Sequence, residues 1–287
     1  MTSVRRQCCN ARMEQQSRQL ADFLAENGSV AVVSGAGVST SSGIPDYRDR
    51  NGDWKHAQPI QFQDFVKHVA FRKRYWARSY VGWQRFSRAR PNAAHHALAG
   101  LEATGKVDTV ITQNVDRLHS EAGSRHVIDL HGDLGKVRCL VCNATHTRLD
   151  FQRALKDANP DWHAEVFRCK PDGDAELADN GHDDFCIPGC AACGGVVKPD
   201  VVMFGETVPK ERVQNASDAI DRANALLVVG SSLMLFSGFR FARQAAAQLK
   251  PIVIVNQGRT RADDIAALKV EADCGQALSA ALELLAA

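Results

Sequence analysis

The sequence predicts a doubly wound α/β fold, a parallel sheet with helices on both faces and two inserted modules. Three observations carry that reading. Apolar, β-branched runs occur at Val30–Val33, Val107–Ile111, Val127–Leu130, Val201–Phe204, Leu226–Val229 and Ile252–Val255. Most are continuous rather than alternating, as in strands buried on both faces. Helical periodicity separates several of them, over Arg12–Asn27, Pro209–Ala223, Phe239–Leu249 and Gln276–Ala286, and such alternation favours a parallel sheet. The first strand also runs straight into Gly35-Ala36-Gly37, the start of a Rossmann-like nucleotide-binding turn.

In chain order, residues 1–28 read as a tail and a first amphipathic helix carrying Leu20, Phe23 and Leu24. The α/β core is assembled from 29–55, 105–133 and 198–287. Two stretches interrupt its alternation: 56–104, read as a helical module, and 134–197, read as a small zinc-binding module. Composition sets outer limits. With 287 residues, 45% apolar and 24% charged, the chain can bury a core and is neither fibrous nor disordered. No apolar run reaches the ~18 residues that span a bilayer, so no membrane partner is expected. Arg5 and Arg6 precede no secretory-type apolar segment, so a cytoplasmic protein is expected, with the mitochondrial matrix as the alternative.

The net charge of +2 argues against a DNA-coating protein, and no stable nucleic-acid binding is expected. The sum hides an asymmetry. Phe65–Leu101 holds eight basic residues and no acidic one, whereas Asp157–Asp184 holds nine acidic residues against Arg168 and Lys170. These tracts read as solvated faces or as surfaces near an anionic and a basic ligand respectively.

Nine cysteines are an odd number for a disulfide framework. Cys139-x-x-Cys142 and Cys190-x-x-Cys193 have the spacing of two zinc knuckles, and together they make a four-thiolate structural site. A redox Cys-x-x-Cys needs only one pair. The 47 residues between the pairs exceed the ~15–20 of compact zinc ribbons, so Cys169 and Cys186 stand as alternative ligands. Cys8 and Cys9 fall in the expected tail.

Polar groups at the carboxyl ends of the strands mark the ligand crevice of an open α/β sheet. The Gly35-Ala36-Gly37 turn can approach a pyrophosphate, although Thr40 replaces the third glycine of the dinucleotide fingerprint, which disfavours a plain dehydrogenase. Gln113-Asn114-Val115-Asp116 follows one strand, His131 another, and Gly230-Ser231-Ser232 and Asn256 two more. Histidine suits proton transfer near neutral pH.

In this order, GAGVSTSSGIPDYR, TQNVDRLH, LHG, the paired Cys-x-x-Cys, VKPDVVMFGE and GSSL resemble the sirtuins, from about Ser29 to Cys274. Tyr47, the tract YWARSYVGWQRF and the long insertion resemble the class II subgroup. The resemblance implies an NAD-consuming protein-lysine deacylase that releases nicotinamide, acyl-ADP-ribose and free lysine. It also implies that Gly35, Ala36 and Gly37 hold the pyrophosphate, while Asp46, Tyr47 and Arg48 form a cofactor loop. Gln113, Asn114, Val115 and Asp116 would line the ribose and nicotinamide pocket, with Gly230, Ser231, Ser232, Asn256 and Cys274 around the rest. His131 would be the general base, with Asn114 and Asp116 as its catalytic neighbours. Val202, Phe204 and Gly205 would pair with substrate backbone, and Tyr75 and Arg78 resemble a reader of acidic acyl groups. ADP-ribosyl transfer to protein at the same NAD site is one alternative. A zinc-containing, nucleic-acid-binding nucleotide sensor is another.

Overall fold

Five of the six apolar runs become strands of a fully parallel sheet whose two central strands are buried from end to end. The computed structural model describes residues 2–55, 59–164, 166–169, 173–177 and 181–287; of residues 2–12, 166–169 and 176 only the backbone is described. The chain opens with α1 (Thr2–Asn27), β1 (Val30–Ser34) and a 3-10 helix (Ala36–Ser42), then α2 (Phe62–Lys67), α3 (Val69–Phe86) and α4 (Ala93–Ala103). Next come β2 (Val107–Thr112), α5 (Leu118–Glu121), β3 (Val127–Asp129), β4 (Gly132–Cys139), β5 (Thr145–Thr147) and α6 (Arg148–Ala158). The insertion closes with β6 (Val166–Cys169), β7 (Ala175–Leu177) and β8 (Val197–Val201). The chain ends with α7 (Lys210–Arg222), β9 (Ala225–Val229), α8 (Phe236–Ala247), β10 (Ile252–Val255), β11 (Leu268–Val270) and α9 (Cys274–Ala286).

The main sheet has the order β11-β10-β9-β1-β2-β3. The chain builds outward from β1 to β3, returns to the other side of β1, and builds outward again. This reversal opens a crevice between the loops after β1 and β9, the switch point where doubly wound sheets take ligands. The two-residue period of β1 splits its side chains between two cores. Val30 and Val32 meet Leu20, Leu24, Leu98, Leu101 and Leu278 from α1, α4 and α9. Ala31 and Val33 meet Ile220 and Phe241 from α7 and α8. Although α4 lies in the stretch 56–104, it packs against α9 and β2.

Two expectations are corrected. Val201–Phe204 is not a strand of the parallel sheet: β8 spans Val197–Val201 and pairs antiparallel with β4, with Val201 opposite Gly132. The chain then turns at Gly205, whose φ is +77°. The expected tail is also helical, since α1 starts at Thr2, and this places Cys8 and Cys9 in a helix. Short β11 escaped sequence reading because Leu-Lys-Val is too brief to show a period.

The two insertions share a third core. Phe65, Tyr75 and Trp76 of α2 and α3 pack with Val137, Phe151, Leu155 and Phe185 of the cysteine-bearing insertion. Arg148 is fully buried between Trp76 and Trp83, its guanidinium carbon 5.3 and 5.0 Å from their rings. Among the described residues no helix is long and apolar enough to cross a membrane.

Candidate active site

A cavity of about 770 Å³ occupies the switch-point crevice. Its walls are the ends of β1, β2, β3, β9 and β10, the loop 44–55 and the segment 201–206. The loops after β1 and β9 are locked together, Gly37 N–H donating to Gly230 O at 2.8 Å. A Cβ on Gly37 would stand 2.8 Å from that oxygen, and one on Gly230, whose φ is +56°, would stand 2.4 Å from Val38 N. The glycines are therefore needed for loop-on-loop packing, and the backbone of Gly35-Ala36-Gly37 faces the cavity as a consequence.

The residues after β2 form a connected network. Asn114 Nδ2 donates to Ser39 Oγ at 3.0 Å, and Ser39 Oγ–H donates to Asp116 Oδ2 at 2.6 Å. Asp116 Oδ1 accepts the N–H of Leu118 at 3.0 Å. Burial pushes the Asp116 carboxyl up, against the pull of the Ser39 hydrogen bond. Gln113 Nε2 donates to Ser231 Oγ at 2.7 Å, tying β2 to the loop after β9.

His131 follows β3, where its Nδ1 lies 3.0 Å from Gln113 O and its Nε2 lies 2.9 Å from Ser237 Oγ. The ring keeps some exposure to the cavity, yet the packing around it draws its pKa down to about 4; the Gln113 carbonyl opposes this and the Arg212 charge adds to it. His131 is thus neutral near pH 7 and able to accept a proton.

Every residue expected at the nucleotide lies on the cavity wall: Gly35, Ala36, Gly37, Asp46, Tyr47, Arg48, Gln113, Asn114, Val115, Asp116, Gly230, Ser231, Ser232, Asn256 and Cys274. Arg48 donates to Gly52 O at 2.7 Å and sits 4.2 Å over the Trp54 ring, and Asp46 is paired with Lys55. The Cys274 thiol, pushed up to about 12 by burial, is an inert wall rather than a nucleophile.

Val202, Phe204 and Gly205 also line the cavity. Part of their backbone is already engaged, because Val202 N–H donates to His131 O at 2.7 Å and Phe204 O accepts Phe62 N–H at 2.7 Å. Tyr75 reaches the cavity but Arg78 does not, which corrects its expected place. Arg78 pairs with Asp174 at 2.8 Å and donates from Nε to Ala175 O at 2.7 Å. Its charge is therefore engaged by β7 and the residue before it. Sequence reading also missed Ser39 and Ser237 as site residues. A Ser in a known motif and a Ser at a helix start carry no signal until their partners are seen.

The Sγ atoms of Cys139, Cys142, Cys190 and Cys193 lie within 4.8 Å of one another. Neighbouring sulfurs are 3.5 Å apart (Cys139 and Cys193) and 3.8 Å apart (Cys142 and Cys190), close to the ~3.8 Å edge of a tetrahedron built on ~2.3 Å zinc–sulfur bonds. The donor set therefore fits one zinc ion and leaves no open position. His146 draws the Cys190 thiol down to about 6. The Gly195 N–H pulls Cys193 the same way, but the adjoining Cys142 and Cys139 thiols outweigh it and push Cys193 to about 12. A divalent cation would relieve that crowding of charge. Cys186 lies apart, its Sγ 3.8 Å from Asp184 O, and the Cys169 side chain is outside the described residues.

A doubly wound sheet with a large crevice at its switch point, a partly buried histidine at a strand end and an inserted four-cysteine knot defines an α/β protein of the nucleotide-binding class. The Sir2 family model matches residues 35–237. The chain is 54% identical over 270 residues to an NAD-dependent protein deacetylase 2 of Bradyrhizobium diazoefficiens, covering 94% of this chain and 98% of that one. It is 55% identical over 260 residues to an NAD-dependent protein deacetylase of Xanthomonas campestris pv. campestris, covering 91% and 89%. A solved Sir2 with a p53 peptide and NAD+ superposes with a TM-score of 0.75 at 31% identity, covering 93% and 97%. The chain belongs to the Sir2 family, the sirtuins.

Proposed function

We propose that the chain is an NAD-dependent protein-lysine deacetylase that yields nicotinamide, O-acetyl-ADP-ribose and free lysine. The observation that carries this is convergence. The glycine turn after β1, the Gln113–Asp116 network after β2, His131 after β3 and the segment 202–205 all face one cavity. The family likeness, with relatives named as deacetylases over most of their length, supports the same reading. It favours neither ADP-ribosyl transfer nor a nucleic-acid-bound sensor.

NAD, consumed as co-substrate, supplies a ribose carbon that the acyl oxygen attacks as nicotinamide leaves. Gly35, Ala36 and Gly37 would hold its phosphates and Asn256 its adenosine end, with Ser231 and Ser232 beside them. Asn114 and Asp116 are pre-oriented by Ser39, so they cost little reorganisation when charge develops. His131 holds an accepting lone pair on Nε2 and is the base on which the proton lost by a substrate hydroxyl is balanced. Trp54, Tyr47 and Phe204, with ring centroids 5.7 to 6.2 Å apart, form an apolar wall that excludes water from the reacting groups.

The finer assignments belong to the same proposal. They are the class II subgroup, removal of acyl groups beyond acetyl, one structural zinc on the four cysteines, and a cytoplasmic setting. The long insertion and the Tyr47 and YWARSYVGWQRF motifs support the subgroup. A panel of acetyl-, lipoyl-, glutaryl- and succinyl-lysine peptides with NAD, followed by mass spectrometry, tests the reading. Nicotinamide and free lysine in equal amounts are expected from at least the acetyl peptide. ADP-ribose joined to protein without deacetylation would contradict it.

A further inference from the structure

The accepting lone pair of His131 is already engaged by a hydroxyl. A carbonyl oxygen only accepts, so the 3.0 Å contact with Gln113 O places the ring proton on Nδ1. Nε2 is then the acceptor, and the hydroxyl of Ser237, 2.9 Å away, is its donor. Ser237 lies in the first turn of α8 and lines the same cavity. Its neighbour Gly238 sets the approach. A Cβ there would stand 2.5 Å from Gln113 Oε1, so the glycine lets the start of α8 lie directly against the Gln113 side chain. Gln113 is itself pinned to Ser231. The imidazole is thus clamped at both nitrogens, by a backbone carbonyl on one side and a serine hydroxyl on the other.

We propose that Ser237 is a catalytic proton relay between the substrate hydroxyl and His131, a role that rests on the deacetylase reading above. The substrate O–H bond breaks as its proton passes to Ser237 Oγ, while the Ser237 O–H proton passes to Nε2 and forms the new N–H bond. The serine ends as it began, the ring becomes imidazolium, and the substrate oxygen keeps the electron pair with which it attacks. A hydroxyl hydrogen-bonded to a base that is oriented through its other nitrogen is the arrangement such transfer requires.

The test compares the wild-type chain with Ser237→Ala and Ser237→Thr in two assays on an acetyl-lysine peptide. One follows free lysine, and the other follows exchange of labelled nicotinamide into NAD, which precedes the His131 step. Ser237→Ala is expected to lower kcat for free lysine by roughly tenfold or more. Exchange should stay within about twofold and the melting temperature should be unchanged, with Ser237→Thr restoring most of the rate. Full free-lysine turnover in Ser237→Ala overturns the relay, and so does an equal loss of exchange and deacetylation. A wild-type chain inactive in both assays overturns the deacetylase reading itself.

Discussion

His131 could be singled out in the sequence because it directly follows an apolar run, where strand ends meet ligands. Its tautomer could not, since that depends on Gln113 O and Ser237 Oγ, which lie 18 and 106 residues away in the chain. With its pKa drawn down to about 4 by burial, the base stays neutral from pH 7 down to near 4. The acidic limb of kcat/KM is therefore expected well below the usual histidine value of 6.5, and an inflection near 6.5 would show that His131 titrates unperturbed. Arg78 shows the opposite case. Its i, i+3 spacing with Tyr75 was legible, but the carboxylate that claims it, Asp174, sits in another module. Arg78→Met should remove a buried ion pair at a cost of about 3 kcal/mol. The expected result is a lower melting temperature with equal losses on acetyl and glutaryl peptides. A selective loss on the glutaryl peptide would restore Arg78 as an acyl-group reader.

At the scale of elements, β4 and β8 connect the cysteine knot to the reaction site. β4 begins one residue after His131 and ends at Cys139, a run of roughly 23 Å at ~3.3 Å per residue. β8 pairs with it and leads into Val202, whose N–H holds His131 O. The knot is too remote for Lewis-acid chemistry, yet it anchors the two strands that position the base and the substrate segment. One equivalent of zinc is expected by native mass spectrometry. Cys142→Ser should lose the metal, melt lower and lose most activity. A metal-free wild-type chain with unaltered melting and turnover would contradict a structural ion. The knot itself was legible from two Cys-x-x-Cys pairs, because local spacing determines that chemistry. The strand expected over Val201–Phe204 was not, because apolar content is the same for a parallel core strand and for an antiparallel strand end.

For the whole molecule, the alternating core could be read from periodicity, whereas the union of the two insertions could not. Trp76, Phe151 and Phe185 are far apart in the chain and meet only in the third core. The charge asymmetry also resolves there. Arg78 of α3 pairs with Asp174 of the acidic insertion, so part of the opposition is internal, and Lys73 donates to the backbone carbonyl of Asp183 beside it. Acid stability follows from two buried histidines and the partly buried His131. Burial draws His95 to about 4, His119 to about 3 and His131 to about 4, so below the usual 6.5 the unfolded chain binds more protons and stability falls. Asp129, pushed up to about 6 by burial and then by Asp133, acts in the other direction, as does Asp116, raised by burial, and both reduce the loss. The melting temperature should drop by more than roughly 5 °C between pH 7 and pH 5, and a flat profile would contradict this. The central claim is tested most directly by counting products from NAD and an acetyl-lysine peptide, with wild type beside His131→Tyr. One nicotinamide per free lysine is expected from wild type, and no free lysine from a His131→Tyr chain that still melts cooperatively. Free lysine from that variant at the wild-type rate would contradict it.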